Sequence, residues 1–173
     1  REEGRHRYGV FYEGAGGHSY GAFGMPNPAH ALARAIAGIA ELRVPRDPKT
    51  TFSVGVVEGG TSVNSIPASV AMDVDLRSES RAALDSLDAD FRVALQRALE
   101  AERARWPGSR VPLHLRIDTT GIRPAGAQAD TARIVRAGLD AGRALGFTSE
   151  LSAGSTDANL PMSLGVPAIT IDG

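Results

Sequence analysis

Three glycine-marked segments hold the side chains whose types and spacing could do chemistry. In Gly16-Gly17-His18-Ser19-Tyr20-Gly21 a histidine sits on a flexible loop, where an imidazole can donate to a developing oxyanion or bind a carboxylate. Read alone, the segment is more simply a surface loop that happens to carry a histidine. Gly59-Gly60-Thr61-Ser62-Val63-Asn64-Ser65-Ile66-Pro67 comes next, followed by Asp75-Leu76-Arg77. In isolation Gly-Gly-Thr is a hairpin turn and Asn64 a left-handed turn residue, and Arg77 could simply pair with Asp75 or Glu79. The third segment is Ala153-Gly154-Ser155-Thr156-Asp157-Ala158-Asn159, between a short strand and a candidate helix. Its backbone N–H groups and hydroxyls suit an anion, while Thr156 or Asp157 also reads as a plain helix cap.

The elements that must position these segments follow from hydrophobic periodicity. Tyr8 to Glu13 reads as a strand in which Phe11 and Tyr12 face opposite ways. Asn27 is a suitable N-cap with Pro28 at the first helical position, and Leu32, Ile36 and Ile39 recur at helical spacing until Pro45. Phe52, Val54 and Val56 alternate as a half-buried strand. In the next strand Val70, Met72, Val74 and Leu76 share one face, with Asp73, Asp75 and Arg77 on the other. Leu84, Leu87, Phe91, Leu95 and Leu99 stripe a long helix ending near Trp106-Pro107-Gly108, and Val111, Leu113, Leu115 and Ile117 alternate as a last strand.

The order strand–helix–strand–strand–helix–strand, with one-sided strands and one-sided helices, predicts an α+β fold. Its economical packing is a four-stranded antiparallel sheet with two helices on one face, the ferredoxin-like plait, over residues 1–118. Residues 119–173 differ. A linker-like Gly121–Gly126 precedes a helix capped by Asp130, lined by Ile134, Val135, Leu139 and Leu145 and closed by Gly146. Short strands near Thr148–Leu151 and Val166–Ile171 flank the Gly-Ser-Thr-Asp turn, which suggests an incomplete α/β layer.

The chain has 173 residues, 42% hydrophobic and 23% charged, with a net charge of −1. Such a balance gives no reason to expect a nucleic acid or an anionic membrane as partner. With no cysteine, disulfides and thiolate chemistry are excluded. No apolar run is long enough to span a bilayer and no signal-peptide pattern opens the chain, so a cytoplasmic location is expected. The charged start without Met, and an end one residue or so beyond an apolar run, are expected of a fragment.

Together, in this order and spacing, the Gly-Gly-His-Ser loop, Gly-Gly-Thr-x-x-Asn-x-Ile-Pro, Asp-x-Arg, Ser-Thr-Asp-Ala-Asn and Leu-Gly-Val-Pro-Ala are far more specific than singly. They resemble the C-terminal two-thirds of the zinc-dependent carboxypeptidase G, acetylornithine deacetylase and peptidase T family. The resemblance implies a dimerisation ("lid") domain followed by a C-terminal piece of the catalytic domain of an enzyme that cleaves an amide bond in a peptide or N-acyl amino acid. It implies a homodimer through the plait. His18 would help hold the oxyanion in the partner's active site, and Asn64 would contact the substrate's carboxylate end across the dimer. Arg77 would anchor a substrate carboxylate from its own subunit, with Gly154, Ser155 and Thr156 completing the anion pocket. Ser155 stands where many relatives carry glycine.

Zinc would belong to the full-length enzyme. This chain has only four histidines, His6, His18, His30 and His114, with no His-x-Asp and no Glu-Glu metal pair in the expected context, so neither metal binding nor hydrolysis is expected of it alone. The rival reading is a non-catalytic plait module for small-molecule binding or dimerisation.

Overall fold

The computed structural model describes residues 2–171. Strand β1 (Gly4–Gly14) runs through the middle of the main sheet. Beyond a two-residue strand β2 (Gly17–His18), helix α1 covers Pro28–Ala40. Strands β3 (Thr50–Gly59), β4 (Ser65–Ile66) and β5 (Ser69–Ser78) follow, then helix α2 (Arg81–Arg105) and strand β6 (Leu113–Arg123). Two further helices, α3 (Arg133–Ala144) and α4 (Asn159–Ser163), lie beyond the sheet. The four long strands are antiparallel in the order β3-β5-β1-β6, the ferredoxin-like plait the sequence predicts.

Strand periodicity decides which face is which. Tyr8, Val10 and Tyr12 of β1 and Val70, Met72, Val74 and Leu76 of β5 are buried against Leu32, Ala35 and Ile39 of α1 and Leu84, Leu87, Phe91, Leu95 and Leu99 of α2. The Phe11/Tyr12 ambiguity resolves with Tyr12 inside, its hydroxyl donating to the Leu95 carbonyl at 2.8 Å. Phe11 faces the other side, 3.9 Å beneath the Arg116 guanidinium. The start of α1 is as read, with Asn27 Oδ1 accepting from the Ala29 N–H at 2.9 Å; at the start of α2 the Ser80 hydroxyl accepts from the Ala83 N–H at 3.4 Å. Helix α1 ends at Ala40, well before Pro45.

Several expectations change. The alternation Phe52, Val54, Val56 breaks at a register shift between Val54 and Val56, so Val56 pairs with Asp73 on the helix-free face and is 47% exposed. Strand β6 continues through Ile122 and Arg123, so the start of the expected linker is strand. Helix α3 is preceded by Ala132 rather than capped by Asp130, and of its expected inner residues only Val135 is buried. Gly146, at φ +82°, closes it as expected. The expected strands near Thr148–Leu151 and over Val166–Ile171 do not form. A strand needs a hydrogen-bonding neighbour, and among the described residues neither segment has one.

Candidate functional site

His18 and Asn64 come together through a small ribbon that periodicity could not show. Strands β2 and β4 pair as Gly17 with Ile66 and His18 with Ser65, and the Ser19 N–H donates to the Asn64 carbonyl at 2.9 Å. Both side chains are exposed. The His18 ring is oriented by its own loop: Nδ1 accepts the Tyr20 and Gly21 N–H groups, each at 3.3 Å. With Nδ1 an acceptor, the neutral ring carries its proton on Nε2, which leaves an outward-facing N–H donor. Asn64 is no left-handed turn residue, because among the described residues no non-glycine residue has positive φ; Gly59 and Gly60 take that conformation instead. Its Oδ1 accepts from the Ser62 hydroxyl at 2.8 Å, which turns the amide NH₂ outward as a second donor.

The loop is anchored from beneath by Glu102, a fully buried carboxylate at the end of α2 that sequence reading passed over. It accepts from the Asn27 N–H at 3.1 Å, Arg34 Nε at 3.0 Å and Trp106 Nε1 at 3.2 Å. Trp106 then meets Phe23 of the His18 loop edge-on, with ring centroids 5.2 Å apart. A buried charge needs several donors, and these three tie the start of α1 and the base of the loop to one point.

Arg77 lies at the other end of the sheet, on the helix-free face. Its Nε donates to Asp75 at 2.6 Å and its Nη1 to Glu3 at 2.7 Å. These two acceptors raise the Arg77 pKa above its ordinary value. Burial works to raise the Asp75 pKa, but hydrogen bonds from Arg7 and Arg77 outweigh it and hold the carboxyl below the usual range. Among the described residues Arg77 Nη2 donates to nothing.

The Gly154–Thr156 turn does receive a carboxylate, and it is the chain's own. Glu2 Oε2 accepts from the Thr156 N–H at 3.2 Å and from its hydroxyl at 3.0 Å. The Glu3 N–H donates to the Gly154 carbonyl at 2.6 Å, so the Glu2-Glu3 dipeptide links this turn to Arg77. Asn159, almost wholly buried, fastens the turn from below: its Nδ2 donates to the Glu3 and Pro124 carbonyls, and its Oδ1 accepts the Thr156 N–H. Arg123 donates to the Ser155 carbonyl at 2.9 Å, while the Ser155 hydroxyl is buried without a partner.

The six predicted residues therefore form two groups. His18 and Asn64 sit beyond the Gly14 end of β1, and Arg77 with the Gly154–Thr156 turn sits at its Gly4 end. Ten residues of strand separate them, about 30 Å at the usual rise. No three His, Asp or Glu side chains among the described residues converge to hold a metal ion. His6 is on β1, His18 on β2, His30 on α1 and His114 on β6, so these residues do not fit the zinc that the resemblance implies. No helix among the described residues is long and apolar enough to cross a membrane.

Residues 2–103 match the peptidase dimerisation domain, and the chain belongs to that family. Its fold is shared with an aminobenzoyl-glutamate utilization protein from Klebsiella pneumoniae (TM-score 0.71, 23% identity, covering 94% of this chain and 40% of that one). Aminopeptidase PepT from Bacillus cereus is similar at a TM-score of 0.69 and 21% identity, covering 96% and 42%. A hydantoinase/carbamoylase family amidase from Burkholderia ambifaria matches at 0.66 and 24%, covering 96% and 39%. The chain thus spans about two-fifths of the length of these solved relatives. No curated protein matches it.

Proposed function

We propose that this chain is the dimerisation and substrate-carboxylate-binding part of a metal-dependent peptidase or amidohydrolase, acting on a peptide or an N-acyl amino acid. Residues 1–118 form the dimerising unit, and residues 119–173 belong to the α/β domain that completes the hydrolase. Zinc is held elsewhere in the full-length protein, so the part played by these residues is binding and charge stabilisation. The single observation that carries the reading is the separation of the two groups along β1. A span of about 30 Å is too long for one small substrate to touch both within one chain. Two-fold pairing of two copies brings the His18 end of one beside the Arg77 end of the other.

Strand β3 is the edge that supports such pairing. It has a neighbour on one side only, and beyond its bulge it leaves Val56 exposed on the helix-free face and Val57 exposed on the other. Antiparallel pairing of β3 with its own copy sets the Gly59 end of one strand against the Thr50 end of the other. The Gly59 end lies with Val70 beside the His18 ribbon, and Thr50 lies opposite Ser78 beside Arg77. His18 Nε2–H then donates to the oxyanion as the amide carbonyl is attacked, and the Asn64 amide contacts the acid end of the substrate. Arg77 Nη2 and the Ser155 hydroxyl, both without acceptors among the described residues, are the donors we assign to that acid group.

The test is the oligomeric state in solution. Multi-angle light scattering is expected to give twice the chain mass, and Val56→Lys, a charge in the middle of the edge, is expected to give a monomer with an unchanged far-UV spectrum. A wild-type monomer at high concentration overturns the reading.

A further inference from the structure

Helix α2 buries one charged side chain, and it falls where the fold asks for an apolar one. The inner stripe runs Leu84, Leu87, Phe91, Leu95, Ala98 and Leu99, and its next position is Glu102, fully buried. A carboxylate there is doubly unfavourable. It is stripped of water, and it stands in the last turn of a helix, whose end favours cations such as Arg103 and Arg105. A leucine would complete the core with neither penalty. The acid is met instead by the Asn27 N–H, Arg34 Nε and Trp106 Nε1, and two of these three lead to the His18 loop. Asn27 is the N-cap of α1, where the loop hands over to helix. Trp106 has the Arg105 guanidinium 4.2 Å from its ring and the Phe23 ring edge-on at 5.2 Å. Among the described residues this is the one ring contact that leaves the loop. The loop needs such a hold. Its turn is closed only by the Ala22 N–H on the His18 carbonyl at 2.9 Å and the Phe23 N–H on the Tyr20 carbonyl at a long 3.4 Å. The Tyr20 and Gly21 N–H groups that orient His18 Nδ1 lie within that turn.

We propose that Glu102 is a positioning residue for His18, acting through Trp106 and Phe23 on the turn that orients the imidazole. This rests on the reading of His18 as the oxyanion donor. Glu102 fixes the indole, the indole fixes Phe23, and Phe23 holds the turn so that Nδ1 stays occupied and Nε2–H faces outward. A donor already oriented needs no reorganisation when charge develops on the substrate. Without the hold the ring is turned away for part of the time, and the rate falls by the fraction of competent loops lost. Glutamine at position 102 would keep one oxygen for Asn27 and Trp106, which share Oε1, and would lose only Arg34. Leucine would lose all three.

NMR relaxation of the 173-residue chain reads the order of the Tyr20 and Gly21 amides, and the indole N–H reports on Trp106, the chain's only tryptophan. Wild type and Glu102→Gln are expected to give loop order parameters of about 0.85, and Glu102→Leu and Phe23→Ala values below about 0.6, with the β1 and β5 amides unchanged. Phe23 is exposed, so Phe23→Ala leaves the core intact and carries the test should Glu102→Leu fail to fold. A loop that stays ordered in Phe23→Ala overturns the proposal. So does loosening of the sheet together with the loop in Glu102→Leu, which would make Glu102 a core residue alone. In the full-length protein both loop-releasing variants are expected to lower kcat about tenfold with KM within about twofold, as for a loop competent roughly a tenth of the time. Neither should lower it further in a His18→Ala background, and full additivity there overturns the proposal. If His18→Ala itself leaves kcat unchanged while the loop still loosens in the variants, the oxyanion reading fails and the positioning of the His18 ring by Glu102 stands.

Discussion

Asp88 shows how a single carboxylate joins helix and sheet. It accepts the Tyr8 hydroxyl at 2.5 Å and Arg92 Nε at 2.8 Å, with His6 Nδ1 at 3.4 Å. Tyr8 stacks on Phe91 in turn, and Arg92 lies 5.1 Å from the Tyr8 ring centroid. Burial acts to raise the Asp88 pKa, but the Tyr8 and Arg92 hydrogen bonds outweigh it, and the net shift is below the ordinary 3.8. A carboxyl with a depressed folded pKa contributes stability that is present above its unfolded pKa and lost as pH falls through the folded one. Wild type is therefore expected to exceed Asp88→Asn by about 1.5–3 kcal/mol at neutral pH in urea unfolding, the range for hydrogen bonds to a charged group. The difference should close as pH drops below 4, the ordinary carboxylate range. A difference that stays constant down to acid would mean that the amide fails by shape and that the charge contributes nothing.

At the scale of elements, Asn159 is the fastener of the C-terminal segment. One side chain joins the Thr156 turn, the Glu3 carbonyl of the strand entry and the Pro124 carbonyl after β6. Asn159→Ala takes the side-chain donor from the Glu3 and Pro124 carbonyls, while the Thr156 N–H keeps Glu2 Oε2, and is expected to cost about 1–3 kcal/mol. Because the plait core does not use Asn159, the loss should register locally: faster amide exchange at Thr156 and Glu3, with the β1 and β5 amides unchanged. Uniform acceleration throughout the sheet would show instead that the segment and the plait unfold as one. The same contrast explains what was legible in the sequence. Elements with a long one-sided apolar stripe, α2 with Leu84 to Leu99 or β5 with Val70 to Leu76, declare themselves because their partner surface lies within the chain. The β2–β4 ribbon is too short for any period, and the β3 bulge reverses phase at Gly55 with no change in residue type. Val166–Ile171 is strand-like in composition, yet strand is a property of a pair, and no neighbour is present among the described residues. Site residues divide in the same way. His18, Asn64 and Arg77 stand in spaced motifs, whereas Glu102 gains meaning only when the fold brings Asn27, Arg34 and Trp106 onto it.

For the whole molecule, the placement of His18 and Arg77 at opposite ends of one strand makes each proposed active site a product of two copies. Complementation between two inactive variants tests that directly in the full-length protein. A His18→Ala protomer keeps an intact Arg77 end, and an Arg77→Ala protomer keeps an intact His18 loop. Each homodimer is expected to be nearly inactive, since an oxyanion donor or a carboxylate anchor is missing from both sites. In a mixed dimer one site draws His18 from the second variant and Arg77 from the first, and is whole; the other site lacks both. Random exchange of equal amounts makes about half of the dimers mixed, so activity should recover to roughly a quarter of wild type under two-fold symmetry. Recovery should follow the rate of subunit exchange and be absent when Val56→Lys is placed in both variants. If His18 served its own subunit, the first variant would lack it in every site and the second would lack Arg77 in every site. Mixing would then restore nothing, and the arrangement in trans would be wrong even though both residues mattered.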